Sequence, residues 1–304
     1  TISTWRSLNA YRVEPSPAAV SALRRQYLRF APGWEARLRA AGLDSFEPAF
    51  LCEQGTVVRR SGSSEVRRVE VEVEGARQVL FLKKSWVTRW AQLRSRVFRG
   101  MLFGASQVRR EFANLARLHE WQLTEAMPVA FGEERRAGWL WRSFLISTGI
   151  AEPMPVDAFI RDVLPRLVGA ERRSVRGELL RQVARLTRVM HARQFTHGDL
   201  YWRNLVIADN ELARLSLIDM PRGRSHWREL SVAARASDLA ALDAPAPWFF
   251  RRSERLRFLL DYRQTRRLDA GGKELIRQVL KLAGPMRRKQ LAHVGADAPQ
   301  HAQA

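Results

Sequence analysis

Six residues in the first third of the chain, Val69-Glu70-Val71-Glu72-Val73-Glu74, alternate strictly between apolar and acidic side chains. Period-two alternation is the signature of a strand with one face buried and one in water, and no helix can use it. The neighbouring segments agree. Thr56-Val57-Val58, Val66 to Val73 and Val79 to Lys83 read as strands, punctuated by turns at Ser61-Gly62-Ser63-Ser64 and at Gly75. This stretch is therefore expected to be an antiparallel meander.

The period then changes. Trp86, Trp90, Leu93 and Val97 fall at helical spacing, as do Glu111, Leu115 and Leu118 on a helix ending near Trp121. Trp139 to Ile146 reads as one more strand. Leu179, Val183, Leu186 and Met190 then mark a helix, Leu205 to Ile207 and Leu215 to Ile218 two short strands, and helices follow from about Asp238 to Leu282. The expectation is an α+β chain with a small β-rich lobe and a larger, mainly helical lobe. Its divisions are a helical N-terminal extension over 1–45, an N-lobe over 46–148, a C-lobe over 149–283 and a disordered tail over 284–304.

The chain has 304 residues, of which 46% are apolar, so a real core is expected. No apolar run approaches the roughly 18 residues of a membrane span. Arg6, Arg12 and Glu14 interrupt the first residues, so no secretory leader is expected there. With Cys52 as the single cysteine, an internal disulfide is excluded and a cytoplasmic setting is expected. The formal net charge of +21 favours polyanions: nucleic acid, anionic headgroups or phosphorylated glycolipid. It equally fits an arginine-rich solvated surface. No zinc-finger or RNA-motif string occurs, so no specific nucleic-acid partner is expected.

The string that carries chemistry is His197-Gly198-Asp199-Leu200-Tyr201-Trp202-Arg203-Asn204, which fits the pattern His-x-Asp-x-x-x-x-Asn. Fifteen residues after Asn204, the apolar run Leu217-Ile218 ends in Asp219. Phosphoryl transfer needs positioning and charge neutralisation more than covalent help. Asp199 would take or orient the proton of an attacking hydroxyl, and Asn204 and Asp219 would hold Mg²⁺. Upstream, Val79 to Lys84 reads as a strand ending in lysines. Lys83, on the face of Phe81 and Val79, would contact nucleotide phosphates, with Lys84 the alternative, and Glu111 would pair with that lysine. Each signal alone has a plain structural reading; their order along the chain is what points to a kinase.

From about Phe81 to Leu282 the chain resembles the lipopolysaccharide kinases, the Kdo/heptose kinase family of Gram-negative bacteria. The resemblance rests on Phe81-Leu82-Lys83-Lys84, Arg110 to Leu115, His197 to Leu205, Leu217 to Arg222 and Ser237 to Leu242. It implies a protein-kinase-like two-lobed fold and ATP-dependent phosphorylation, with Mg²⁺, of a sugar hydroxyl of the lipopolysaccharide inner core, a heptose first of all. It also implies a lipid-linked core oligosaccharide as acceptor. Asn204 stands where the family's heptose kinases more often carry His, and Met220-Pro221 replaces their usual Leu-His, which leaves the acceptor open. No Gly-x-Gly-x-x-Gly occurs; the Ser61, Gly62, Ser63 turn either covers phosphates with its N–H groups or is a plain hairpin. Asp238 is either a buried carboxylate holding the catalytic loop or the N-cap of a helix starting at Leu239, and His197 is read as a structural hydrogen-bonding residue. The Trp86–Arg99 helix either meets an anionic membrane surface, making the protein peripheral to it, or packs on the small lobe.

Overall fold

The computed structural model describes residues 13–15, 24–73, 75–87, 106–136, 138–209 and 211–293. It divides into two compact units. One comprises residues up to Glu120 together with Glu125–Ile150, the other Trp121–Thr124 with Ala151 onward.

The first unit is built on one antiparallel sheet. Its strands are β1 (Val13–Pro15), β2 (Arg24–Phe30), β3 (Thr56–Ser61), β4 (Ser64–Val73), β5 (Ala76–Trp86), β6 (Pro128–Arg136) and β7 (Trp139–Thr148). They lie in the order β1-β2-β6-β7-β5-β4-β3. The alternating run Val69 to Val73 is in β4, with Val69, Val71 and Val73 buried and Glu70 and Glu72 in water. Period two splits β5 as well: Leu80, Leu82 and Lys84 are buried on one face, while Val79, Phe81 and Lys83 share the other.

Helices α1 (Trp34–Ala40) and α2 (Phe46–Leu51) supply Trp34, Leu38 and Phe46 to the core formed with Leu80, Leu82, Phe144 and Ile146. A Cβ on Gly132 would sit 2.4 Å from the Phe144 ring and 2.9 Å from that of Phe46, so only glycine admits this packing. Helix α3 (Gln107–Glu120) carries Val108 and Phe112 into a second cluster with Phe131 and Leu145. Leu145 is the register partner of Lys83, so α3 covers the Lys83 face.

Three expectations change here. Residues 24–30, expected within a helical extension, form β2, which pairs along its whole length with β6. Trp86, expected to open a helix, ends β5, and residues 88–105 of that expected helix and beyond lie outside the described residues. Glu111, expected to begin its helix, lies one turn inside α3.

The second unit is mainly helical. Its long helices are α4 (Gly169–Ala192), α5 (Val232–Asp243), α6 (Arg252–Arg263) and α7 (Ala270–His293). Leu179, Val183, Leu186 and Met190 of α4 are all buried, as their spacing requires. Short strands β8 (Met154–Pro155), β10 (Leu205–Ala208) and β11 (Glu211–Leu217) form a three-stranded sheet, and β9 (Phe195–Thr196) pairs with β12 (Arg224–Ser225). The expected disordered tail begins too early: α7 continues through Pro285, Ala283 and Met286 join the core with Leu239 and Leu275, and residues 294–304 lie outside the described ones. Among the described residues no helix is long and apolar enough to cross a membrane.

Candidate active site

In the first unit, Lys83 Nζ lies 2.7 Å from Glu111 Oε1, joining β5 to α3. The Glu111 side chain is 9% exposed and that of Lys83 29%, so the pair keeps one side toward solvent. Lys84 points the other way. It is buried, it donates to the Cys52 carbonyl, and its Nζ lies 3.6 Å from Glu65. Burial pushes its ammonium below the usual lysine range, partly offset by Glu65. The two adjacent lysines thus have separate environments because a strand turns its side chains to alternate faces.

The turn at Gly62 and Ser63 joins β3 to β4, with Ser61 Oγ and Ser64 Oγ 2.8 Å apart. In register, Val66 faces Lys83 and Ser64 faces Ser85, so the turn begins about 10 Å along the strand from the lysine.

In the second unit the His197–Asn204 loop is fixed by buried polar contacts. Asp238 is not a helix cap, because α5 begins at Val232 with Ser231 Oγ accepting from the Ala234 N–H. Its carboxylate, 1% exposed, accepts from the His197 N–H at 2.8 Å and the Gly198 N–H at 2.9 Å. His191 on α4 sits 3.2 Å from the same carboxylate and 2.8 Å from the Tyr262 hydroxyl of α6. Burial alone would raise the Asp238 pKa, but hydrogen bonds from His191 and the loop outweigh it and hold the group below the usual aspartate range. Burial pushes the Tyr262 hydroxyl up to about 12.

His197 is fully buried. Its Nδ1 accepts the Asp199 N–H at 3.3 Å, so Nε2 carries the proton and donates to the Ile218 carbonyl at 3.2 Å. Burial lowers its pKa, which keeps this neutral form. One ring therefore ties the loop to the residue before Asp219. Gly198, at φ +76°, would place a Cβ 2.9 Å from the Arg222 carbonyl oxygen, so glycine is required there. Trp202 Nε1 donates to the Leu242 carbonyl at 2.8 Å and fastens the far end of the loop.

Asn204 Nδ2 donates to the Asp199 carbonyl at 2.8 Å, which leaves the amide oxygen for another partner. The Ile218 N–H donates to the Asn204 carbonyl at 3.0 Å, and Leu205 faces Leu217 across the hairpin. Asn204 and Asp219 therefore sit at the same end of β10 and β11. Asp219 is exposed and has φ 54°, a left-handed conformation that costs energy for a non-glycine residue and gathers at functional sites. Among the described residues no three His, Cys, Asp or Glu side chains form a metal cage. Mg²⁺ needs none: it takes one or two carboxylates and completes its shell with phosphate oxygens and water, a demand that Asp219 and the Asn204 oxygen fit.

The structure thus brings together Lys83 with Glu111, and separately Asp199, Asn204, Asp219, His197 and Asp238. Gly198, His191, Tyr262 and Trp202 support the loop without having been singled out from sequence. Gly198 was legible, since a glycine inside a His-x-Asp string implies a close backbone approach. The partners of His191 and Tyr262 come from distant helices and leave no local signal. Arg222 Nη1 approaches Asp199 Oδ1 at 3.4 Å.

A β-rich unit with a strand lysine paired to a helix glutamate, followed by a helical unit with this pinned loop, belongs to the protein-kinase-like fold class. WaaP, solved in complex with acyl carrier protein, has the same fold: TM-score 0.60, 25% identity, covering 86% of this chain and 97% of that one. The Pseudomonas aeruginosa lipopolysaccharide core heptose(I) kinase WaaP is 28% identical over 239 residues, 73% of this chain and 81% of the relative. The chain belongs to the lipopolysaccharide kinase (Kdo/WaaP) family, whose pattern matches residues 37–257, and is by that membership a phosphotransferase of lipopolysaccharide biosynthesis.

Proposed function

We propose that this chain transfers the γ-phosphoryl group of ATP to a hydroxyl of a lipopolysaccharide inner-core sugar, a heptose. The observation that carries the reading is the anchored loop: Asp238 fixes its start, and His197 and Asn204 tie it to Ile218, the residue before Asp219.

Asp199 accepts the proton of the attacking hydroxyl as its oxygen bonds to the γ-phosphorus and the bond to the ADP oxygen breaks. Lys83, oriented by Glu111, binds nucleotide phosphates, and N–H groups of the Ser61-Gly62-Ser63 turn cover them. Asn204 and Asp219 would hold Mg²⁺, which when bound neutralises phosphate charge. His197 and Asp238 keep the loop in place. The acceptor is a lipid-linked core oligosaccharide, so the protein works in the cytoplasm at the inner face of the membrane. Incubation with Mg-ATP and dephosphorylated core should yield phosphorylated sugar; ATP consumption with other alcohols but none with core would point instead to a different acceptor, as Asn204 in place of the family's His allows.

The solved relative was captured with acyl carrier protein. An apolar cavity of about 410 Å³ in the second unit, lined by Leu180, Leu239, Phe250, Leu259 and Ile276, supports an acylated carrier protein as a partner for this chain. Co-elution with acylated but not with unacylated carrier protein tests that assignment.

A further inference from the structure

The segment between Asp219 and α5 carries a feature that the phosphotransfer reading does not use. Trp227 is 91% exposed, and no other large hydrophobic side chain among the described residues exceeds the 71% of Val168. A tryptophan carries roughly 150–250 Å² of burial potential, and folding here leaves nearly all of it in water. Its neighbours Arg222, Arg224 and Arg228 are also exposed. The one acid among them, Glu229, is already engaged with Arg235 at 2.7 Å.

The segment is nevertheless firmly seated. Arg224 pairs with Thr196 and Ser225 with Phe195, the His226 N–H donates to the Gln194 carbonyl at 2.8 Å, and His226 Nε2 lies 2.9 Å from Thr196 Oγ1. Leu230 is buried, and Ser231 caps α5. The fold thus presents one indole among arginines on a short stem whose other strand runs, three residues later, into Asp199. An indole has an apolar body and one N–H donor, the combination favoured at a bilayer interface, and arginines beside it match anionic phosphates.

We propose that the Arg222–Arg228 segment is a membrane-surface anchor, with Trp227 entering the headgroup region of an anionic bilayer and Arg224 and Arg228 pairing with its phosphates. The choice of a bilayer rests on the reading that the acceptor is lipid-linked. Because β9 and β12 are paired, the anchor would hold Asp199 at a set height above the surface in which that acceptor is embedded.

The test uses the full chain and vesicles of phosphatidylethanolamine with phosphatidylglycerol, against vesicles of phosphatidylcholine alone. Tryptophan emission should shift to the blue on the anionic vesicles, and Trp227→Phe should remove that shift. Co-sedimentation affinity should fall about tenfold for Trp227→Ala. It should fall about fivefold each for Arg224→Ala and Arg228→Ala, the effect expected for one cation near an anionic surface. Trp227→Ala should phosphorylate water-soluble core oligosaccharide like the parent chain and vesicle-embedded core more slowly. Unchanged vesicle affinity in Trp227→Ala, or equal loss of activity on soluble and embedded core, overturns the anchor. If soluble core is never phosphorylated while vesicle binding depends on Trp227, the anchor stands and the kinase reading fails.

Discussion

Lys83 and Asp199 rest on different kinds of support. Lys83 is placed by the pleat of β5 and paired with Glu111. Asp199 is placed by a buried chain of hydrogen bonds running from Tyr262 through His191 and Asp238 to the loop backbone, with neutral His197 as a second tie. A strand face fixes a long flexible cation well enough to meet phosphates. A short carboxylate that must meet one hydroxyl needs its backbone fixed, and backbone N–H groups are best held by a buried, fully bonded acceptor. Damage in the first unit should therefore appear mainly as weaker nucleotide binding and damage in the second as lost turnover.

The largest effects should come from the metal donors. Asp219→Ala and Asn204→Ala should each lower kcat by about a thousandfold, several kcal/mol of transition-state stabilisation. Steady-state kinetics together with calorimetry would separate that loss of turnover from any change in folding. Next come the adjacent lysines. Lys83→Ala should cost about a hundredfold in kcat/KM for ATP, whereas Lys84→Ala should chiefly lower the melting temperature, by removing a buried side chain that bonds the Cys52 carbonyl. Equal kinetic losses in the two variants would break the division of labour between the β5 faces.

Asp238→Asn should destabilise the chain by about 3 kcal/mol, because an amide cannot accept everything that the buried carboxylate accepts. Tyr262→Phe, which removes only the outer link, should cost about 1 kcal/mol. Urea melts of both variants would rank them.

The smallest effect is a pH slope. The Asp238 carboxyl titrates lower folded than unfolded, so its contribution is present in full above the ordinary aspartate range. That contribution is lost as pH falls through the lowered folded value, because the unfolded chain then takes up the proton first. Stability measured downward from pH 5 should therefore fall more steeply in the parent than in Asp238→Asn.

Much of this was legible in the sequence. The β4 alternation, the α4 stripe and the loop string each depend on residues close together along the chain. What was missed depends on distant partners. The segment Arg24-Arg25-Gln26-Tyr27 reads as polar, yet it is a strand because β6, more than a hundred residues away, supplies its hydrogen bonds. In β6 itself Glu133 and Glu134 are 0% exposed. Burial pushes Glu134 up, but Arg142, Gln26 and Arg136 outweigh it and bring its pKa to about 2. Two adjacent buried glutamates do not look like a central strand until the arginines are in place. Gly284-Pro285 reads as a helix stop, but Arg287 Nε donates to the Ala244 carbonyl at 2.8 Å and Met286 packs on the core, so α7 continues past it. For the candidate site, the residue types and spacing were readable, whereas Asp238's place inside α5 was not, because Ser231 and Asp238 are equally good caps by residue type.

The most direct measurement follows labelled γ-phosphate from Mg-ATP into dephosphorylated lipopolysaccharide core for the parent chain and for Asp199→Asn. The parent should transfer phosphate, the variant should transfer it about a hundredfold more slowly, and both should melt at the same temperature. Transfer at the parent rate by Asp199→Asn would contradict the proton-accepting role of Asp199.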